Sequence, residues 1–288
     1  MKRIFFLIIS LAVIFYSCDK VDSPYIEKPD NGDGGDTSEV LKFTQNVLIE
    51  DYTAHTCVNC PRAARLLDDM HTTYGHKIIP LAIHVGSLAK PYGSPFDADF
   101  RTAYGNELDN EFGLSASGLP KGMINRVEYN GDVKIPDGEW QTATSIQLNK
   151  EPLYGIVLKT DIDTTNKKIS VDVDLHVLRD TTQNLVLCVY LVEDSILGGQ
   201  LDGEVPGDHI VPEYTFMHVL RTSLNGTWGE EIASTSTPIA KDDIITKKYE
   251  NFSYDATWVA KNLNIVAFVY DNDTKEIFQA ELLEVETE

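Results

Sequence analysis

The sequence predicts an α/β domain followed by an all-β domain. From residue 41 to 150, segments with the alternation of a strand and segments with the period of a helix follow one another. From residue 151 to 288, short β-branched runs separated by polar turns repeat with almost no helical period. A C-x-x-C segment, Cys57 to Cys60, stands between a predicted strand and a predicted helix of the first domain.

The elements of the first domain follow from the spacing of its apolar residues. Residues 47–52 form an apolar run that predicts a buried strand, and residues 61–74 repeat apolar side chains at helical spacing. A second buried strand is predicted over 78–85, followed by a loop over 86–96 rich in Gly, Ser and Pro. The remaining elements are a helix over 98–112, a hairpin over 127–133 with an Asn-Gly turn, and a helix over 139–148.

The second domain is predicted to be a β-sandwich. Regularly spaced strands with polar turns are typical of an antiparallel sandwich of immunoglobulin-like kind. The acidic stretch 202–208 lacks the ordered ligand pattern of a calcium site, so we expect a solvated loop there. The predicted strands cover 154–163, 168–178, 184–193, 244–252, 263–270 and 276–285.

The first forty residues predict export and a membrane anchor. Two basic residues precede an apolar core over 4–15, which is too short to span a bilayer comfortably. Ser17-Cys18 resembles a bacterial lipobox, so we expect a signal peptide over 1–17 and lipidation of Cys18; the alternative is an ordinary cleaved signal. Residues 18–40, rich in Asp, Gly and Pro, are expected to form a disordered tether.

The net charge of the chain restricts the classes of partner that it is expected to bind. The sequence has 45 Asp and Glu against 24 Lys and Arg, giving a formal net charge of −21. Such a chain repels phosphate backbones and anionic lipid surfaces. Nucleic acid is therefore not an expected partner, and contact with the membrane is expected through the lipid anchor.

The C-x-x-C segment predicts a redox-capable pair of cysteines. The unsatisfied N–H groups and partial positive charge of a helix start favour a thiolate at Cys57, which we expect at the exposed helix end. Two intervening residues bring its sulfur within bonding distance of Cys60. The alternatives are a fixed structural disulfide and half of a zinc site, which would need histidines such as His55 or His84. Cys188 lies within a predicted strand and is expected to be a small buried hydrophobe.

Residues 41–150 resemble a thioredoxin-like domain. The resemblance rests on the order strand, C-x-x-C, helix, strand, insertion, helix and a Pro-led strand. It implies that Cys57 is the attacking nucleophile and Cys60 the resolving cysteine of a Cys57–Cys60 disulfide. It further implies that Asp51, six residues before Cys57, relays the proton of the resolving thiol, and that Pro120 is a cis-proline beside the disulfide.

The whole chain after the tether is similar to a family of outer-membrane lipoproteins from Bacteroidetes-type bacteria. The family joins a thioredoxin-like domain to a β-rich C-terminal domain, and some members have been described as adhesins. The resemblance implies a lipid-anchored protein of the cell envelope, with the outer membrane favoured. Besides the C-x-x-C segment, it rests on residues 123–126 (MINR), 218–221 (HVLR), 224–229 (LNGTWG) and 266–270 (VAFVY).

Two functions are compatible with these observations. The first is an anchored thiol–disulfide oxidoreductase, whose partners would be exported client proteins with thiols or disulfides. The second is a surface adhesin or binding lipoprotein for an extracellular or surface ligand, in which the thioredoxin-like domain is a scaffold. Neither function calls for a cofactor or a metal ion, and we expect none.

Overall fold

The computed structural model of the protein describes residues 41–285. The predicted signal peptide over 1–17, the lipidation of Cys18 and the tether up to residue 40 lie outside the described residues. From Lys42 onwards the chain forms one compact unit.

An α/β part comes first. Strand β1 is completely buried and lies parallel to β2, in a register that sets Asp51 beside Ala82. Strand β3 pairs antiparallel with β1 on its other side. The ring of Trp140 packs directly on β3 at Gly122, where any side chain would overlap it. The elements are β1 (Val47–Thr53), α1 (Cys60–Tyr74), β2 (Ile78–His84), α2 (Ala103–Phe112), β3 (Lys121–Ile124) and α3 (Trp140–Leu148).

The remainder of the described chain is β-structure. Ten strands follow α3; β5 alternates buried and partly exposed side chains, as expected for a sheet with one covered face, whereas β6 and β12 are buried throughout. The strands are β4 (Tyr154–Asp163), β5 (Lys168–Val177), β6 (Leu185–Glu193), β7 (Ile196–Leu201), β8 (Ile210–Phe216), β9 (Val219–Ser223), β10 (Glu230–Ala233), β11 (Ile244–Ser253), β12 (Leu263–Asp271) and β13 (Ile277–Glu284).

One sheet runs through both parts of the chain. Its strand order is β13-β12-β6-β9-β2-β1-β3, and β10 pairs with β6 beside β9. The junction is a parallel pairing of β2 with β9 at Ala82 and Val219. The predicted boundary near residue 150 does fall where helices give way to strands, but strands from both sides of it share this sheet.

Both faces of the long sheet are covered. On one face, α1 and α3 pack on β1, β2 and β3, while a three-stranded sheet with the order β11-β5-β4 packs on β6 and β12. On the other face, α2 and the β6, β9 and β12 side chains form one apolar core that is continuous across the junction. The β-rich part of the prediction is confirmed, while the immunoglobulin-like arrangement stays a prediction.

Three regions differ from the prediction. The helix predicted over 98–112 begins only at Ala103, because Thr102 caps it by accepting a hydrogen bond from the Gly105 N–H, 2.9 Å away. The hairpin predicted over 127–133 is reduced to a single bridge between Tyr129 and Asp132. Strands β7 to β10 were not predicted, since their short runs are interrupted by Gly and charged residues that suggest loops.

A buried ion pair of the α/β part also contacts the β-rich part. The Arg126 guanidinium donates to both carboxylate oxygens of Glu50 in β1, at 2.8 and 2.7 Å, and both side chains are shielded from solvent. The same guanidinium lies over the rings of Phe112, Phe268 and Tyr270, at 5.2 to 5.5 Å from their centroids. Removing the guanidinium would leave a carboxylate buried without a counter-charge, which is strongly destabilising.

We therefore expect Arg126→Met to lower the free energy of unfolding by about 3–5 kcal/mol. Urea denaturation of the full chain at neutral pH measures this loss. A matched control is Lys150→Met, which removes the exposed ion pair with Glu276 and should cost less than about 1 kcal/mol. Equal losses for the two variants would contradict the role given to the buried pair.

Candidate functional site

The two cysteines of the C-x-x-C segment are joined by a disulfide bond at the start of α1. Cys57 lies in the turn between β1 and α1, and Cys60 is the first residue of the helix. Pro61 occupies the first helical turn, where the missing N–H is not needed. The disulfide therefore sits where strand, turn and helix start meet.

The disulfide is buried, which corrects the expectation that Cys57 lies at an exposed helix end. Cys57 is 4% exposed and Cys60 is 2% exposed. Ala54, Ala89 and Leu119 pack against the two sulfur-bearing side chains. A segment from the β-rich part covers the helix start.

This covering segment, residues 199–205, is called the strap below. It comprises the end of β7 and the residues that follow, and it is hydrogen bonded to the backbone around the cysteines. The Leu201 N–H donates to the His55 carbonyl (2.9 Å), the Gly203 N–H to the Val58 carbonyl (2.8 Å), and the Gln200 amide to the Cys57 carbonyl (3.1 Å). The strap can approach the neighbouring loop closely because Gly199 has no side chain. A Cβ at this position would lie only 2.5 Å from the Pro95 carbonyl oxygen.

Arg65 of α1 fastens the strap by its charge. Its guanidinium donates to both carboxylate oxygens of Asp202, at 2.7 and 3.3 Å, and forms an ion pair with Glu204 at 2.8 Å. The hydrogen bond from Arg65 lowers the pKa of Asp202. Asp202 is buried, so the acidic stretch 202–208 is not simply the solvated loop expected from its composition.

The loop after β2 braces the turn from the other side. The backbone N–H and side-chain hydroxyl of Thr56 both donate to the Leu88 carbonyl, at 3.2 and 2.6 Å. The His55 ring is 2.9 Å from the Lys90 carbonyl oxygen, and burial lowers its pKa. The apolar side chains of Val58 and Leu88 remain about two-fifths exposed on this surface (40% and 44%).

Asp51 and Pro120 both lie near the disulfide. Asp51 is the fifth residue of β1 and is 3% exposed, and its Oδ1 has no hydrogen-bond partner among the described residues. Burial raises the pKa of Asp51 to about 8, and the charge of Asp137 adds to this shift. The Leu119–Pro120 peptide bond is cis, and Leu119 packs against the two cysteines.

A cavity of about 70 Å³ lies behind Cys60. Asp51, Cys60, His84 and Gln200 line its inner part. His84 is buried against the Phe100 and Phe216 rings, and neither of its ring nitrogens has a hydrogen-bond partner among the described residues. The arrangement joins a disulfide, a carboxyl group that holds its proton near neutral pH, and an imidazole around one small cavity.

Residues 41–285 contain neither a metal-binding cluster nor a membrane-spanning helix. No group of three or more His, Cys, Asp or Glu there has a geometry that would hold a metal ion. None of the helices there is long and apolar enough to cross a membrane. Cys188 is buried and free, as expected of a small apolar residue in β6.

The fold and site define a class of protein in which an α/β unit carrying a C-x-x-C disulfide shares its sheet with a β-rich C-terminal part. Residues 106–287 match the model of the family described as Outer membrane protein Omp28, which is more than half of the chain. The protein therefore belongs to the Omp28 family. This membership confirms the predicted family and the location, a lipid-anchored protein of the cell envelope with the outer membrane favoured. The matched region begins after the C-x-x-C segment, so membership carries no evidence about the disulfide.

Two solved structures share the fold. HBP35 of Porphyromonas gingivalis is 19% identical with a TM-score of 0.63, over 85% of this chain and 76% of its own. A protein from Agrobacterium tumefaciens is 12% identical with a TM-score of 0.52, over 86% and 99%. A domain of the outer membrane lipoprotein Omp28 from P. gingivalis is 27% identical over 47% of this chain and 89% of its own, with a TM-score of 0.32. No curated protein matches the sequence.

The residues behind the family resemblance have structural roles. Arg126 and its ring partners in β12 form the buried ion-pair cluster. Asn225 accepts from the Val189 N–H and donates to the Leu187 carbonyl, which ties the turn before β10 to β6. Residues 224–229 and 266–270 hold the β-rich part together, whereas His218 of the 218–221 motif lines a cavity that also reaches Cys60.

Sequence reasoning missed four residues of the site. Arg65, Gly199, Gln200 and Asp202 come together only because β7 returns to the C-x-x-C turn. Their only local signal is the Gly-Gly pair before Gln200, which indicates a close backbone approach without saying to what. The sequence suggests His84 only as a possible zinc ligand. Its position at the end of a buried strand, paired with Thr53, places it near the cysteines.

If Arg65 fastens the strap, Arg65→Gln should expose the disulfide to attack. We expect dithiothreitol to reduce the Cys57–Cys60 bond several-fold faster in this variant, because local opening of the strap becomes less costly. Timed alkylation followed by mass spectrometry measures the rate. The matched control is Arg62→Gln on the same helix, whose partner Asp137 lies outside the strap. Equal rates for wild type and Arg65→Gln would show that the strap does not limit access.

The raised pKa of Asp51 makes stability depend on pH. The folded protein keeps a proton on Asp51 up to about pH 8, whereas the unfolded chain loses it near the ordinary value of 3.8. Stability should therefore fall as the pH rises from about 4 to about 8. Asp51→Asn removes this dependence, so its stability relative to wild type should increase across that window by several kcal/mol.

Urea denaturation of the oxidised proteins at several pH values tests this prediction. The comparison at pH 4 serves as the internal control, because both proteins are uncharged at position 51 there. A stability difference that stays constant from pH 4 to pH 8 would contradict the protonated, buried Asp51.

Proposed function

We propose that the protein is a membrane-anchored thiol–disulfide oxidoreductase acting on exported proteins. Residues 47–148 are, in this proposal, a thioredoxin-like unit. The observation that carries it is the placement of the Cys57–Cys60 disulfide at a helix start, beside the cis Leu119–Pro120 bond and in front of the buried Asp51. A purely structural disulfide has no need of a protonated carboxyl behind it.

The exchange reaction uses each of these groups. The Cys57 thiolate attacks a client disulfide, forms a mixed disulfide and releases one client sulfur as a thiolate. In the minority of molecules whose Asp51 is ionised near neutral pH, the Cys60 thiol gives its proton to that carboxylate and attacks the Cys57 sulfur. The client's second sulfur leaves as a thiolate, so the client gains two electrons and the Cys57–Cys60 dithiol loses them. A carboxyl group with a pKa of about 8 can both accept and return that proton near neutral pH.

The strap must move before a client reaches Cys57. The fastening of Asp202 by Arg65 and the hydrogen bonds to the turn favour the closed arrangement. The exposed apolar side chains of Val58 and Leu88 flank the turn and suit contact with an unfolded or loosely folded polypeptide. The β-rich part, proposed here to be an immunoglobulin-like sandwich, would then control access to the site as well as extend it.

Burial of the disulfide also favours a second candidate, a binding lipoprotein or adhesin. A disulfide that is 4% and 2% exposed can simply lock the turn in place, leaving the α/β unit as a scaffold. In that case an extracellular or surface ligand would bind the β-rich part. Proteolysis of intact cells separates the orientations: an adhesin must be cut from outside, whereas a protected, periplasm-facing body excludes it.

The Cys60→Ser variant tests the oxidoreductase directly in the native host. Without Cys60, mixed disulfides on Cys57 cannot resolve, so covalent client complexes should accumulate and be visible on non-reducing gels. The matched control is Cys57→Ser, which keeps one cysteine at the site but lacks the attacking one. Absence of complexes, together with no disulfide-reductase activity of the purified wild-type protein, would rule out the proposed function.

A further inference from the structure

The cavity behind Cys60 contains more buried polar groups than a packing gap would. Asp51 Oδ1 and both ring nitrogens of His84 are buried and have no partner among the described residues, and both side chains line the cavity. Leaving such groups unpaired costs free energy, and water is their usual partner. A cavity of about 70 Å³ is large enough for a few water molecules.

The cavity adjoins a larger groove. A groove of about 330 Å³ shares Leu67, Asp68, Pro80, Met217 and His218 with the inner cavity. The strap does not border this groove, so the path from the groove to Cys60 is separate from the approach of a client to Cys57. Titratable side chains line the outer groove: Asp68, His71, His76, Asp194, His218 and Glu284.

We propose that the cavity is a hydrated chamber for the proton of Cys60, in which His84 is a positioning residue that holds water against Asp51. This inference rests on the proposed thiol–disulfide exchange. When Cys60 attacks Cys57, its proton passes to Asp51, and the water held by His84 carries it on toward the groove at Asp68 and His218. Protons thus leave on the side of the site opposite the client.

The electrostatic surroundings suit a water-holding role. Burial lowers the pKa of His84 to about 3, so its imidazole is neutral at pH 7 and can both donate and accept a hydrogen bond. Other charged and titratable groups act on the chamber from several elements. They are Asp137 on Asp51; His55, Arg221 and Asp99 on His84; and Asp68, Tyr214 and His218 at the walls.

The test follows the lifetime of a single mixed disulfide. Reduced full-length protein is mixed with oxidised glutathione, quenched with acid at intervals, and analysed by mass spectrometry for glutathione on Cys57. His84→Leu should prolong the lifetime of this intermediate about tenfold at pH 7 and leave its rate of formation unchanged. His84→Gln, which keeps a polar head in the cavity, should restore most of the rate. His176→Leu on β5 is the matched control and should behave as wild type.

Solvent isotope effects give a second readout that needs no variant. In deuterated solvent, resolution of the mixed disulfide by Cys60 should slow in wild type, while its formation should not. The inference is overturned if this effect is absent, if His84→Leu resolves as fast as wild type, or if His84→Gln is as slow as His84→Leu. If reduced wild type does not react with glutathione disulfide at all, the proposed function itself fails; if it reacts but His84 has no effect, only the chamber does.

Discussion

The structure depends on the covering of the β2 edge by β9. This pairing makes β3, β1 and β2 part of a sheet that continues to β13, and it aligns the apolar core on one face across the junction. It also fixes where the chain before β9 can go. Because β9 starts beside Ala82, the β7–β8 hairpin lies across the end of β2 and brings the strap onto the C-x-x-C turn. The strap therefore covers the disulfide because β9 pairs with β2 in the long sheet.

The buried polar groups of this protein fall into two kinds. Arg126 and Glu50 pair with each other beside aromatic side chains from both parts of the chain, so their burial favours one packing of the two parts. Asp51 follows Glu50 directly in β1, and His84 is the last residue of β2. Both side chains line the cavity, and Asp51 Oδ1 and the two ring nitrogens of His84 have no hydrogen-bond partner among the described residues. Unpaired buried groups are costly in a protein interior, and such a cost is usually tolerated where it serves chemistry.

The sequence predicts the local secondary-structure elements but does not predict that the strap covers the disulfide. Helix α1 follows from its one apolar face, and strands β1 and β2 and most long strands of the β-rich part follow from apolar runs that are continuous where both faces are buried and alternating where one face is buried. The C-x-x-C turn and Asp51 are within ten residues of one another, so their proximity could also be anticipated. The strap could not: Gln200 and Asp202 are more than 130 residues away in sequence from the groups they contact. The junction of β2 with β9 is equally non-local and rests on one strand pairing.

The proposed function requires that the Cys57–Cys60 pair cycles between dithiol and disulfide in the folded protein. The most direct measurement is a redox titration of the full chain in glutathione or dithiothreitol buffers, with the oxidation state read from the mass after alkylation. We predict a reversible two-electron transition in the range of exchange proteins, about −120 to −270 mV, with the fold intact throughout. A pair that stays oxidised below about −300 mV, or that is reduced only when the protein unfolds, would contradict the claim and mark the disulfide as structural.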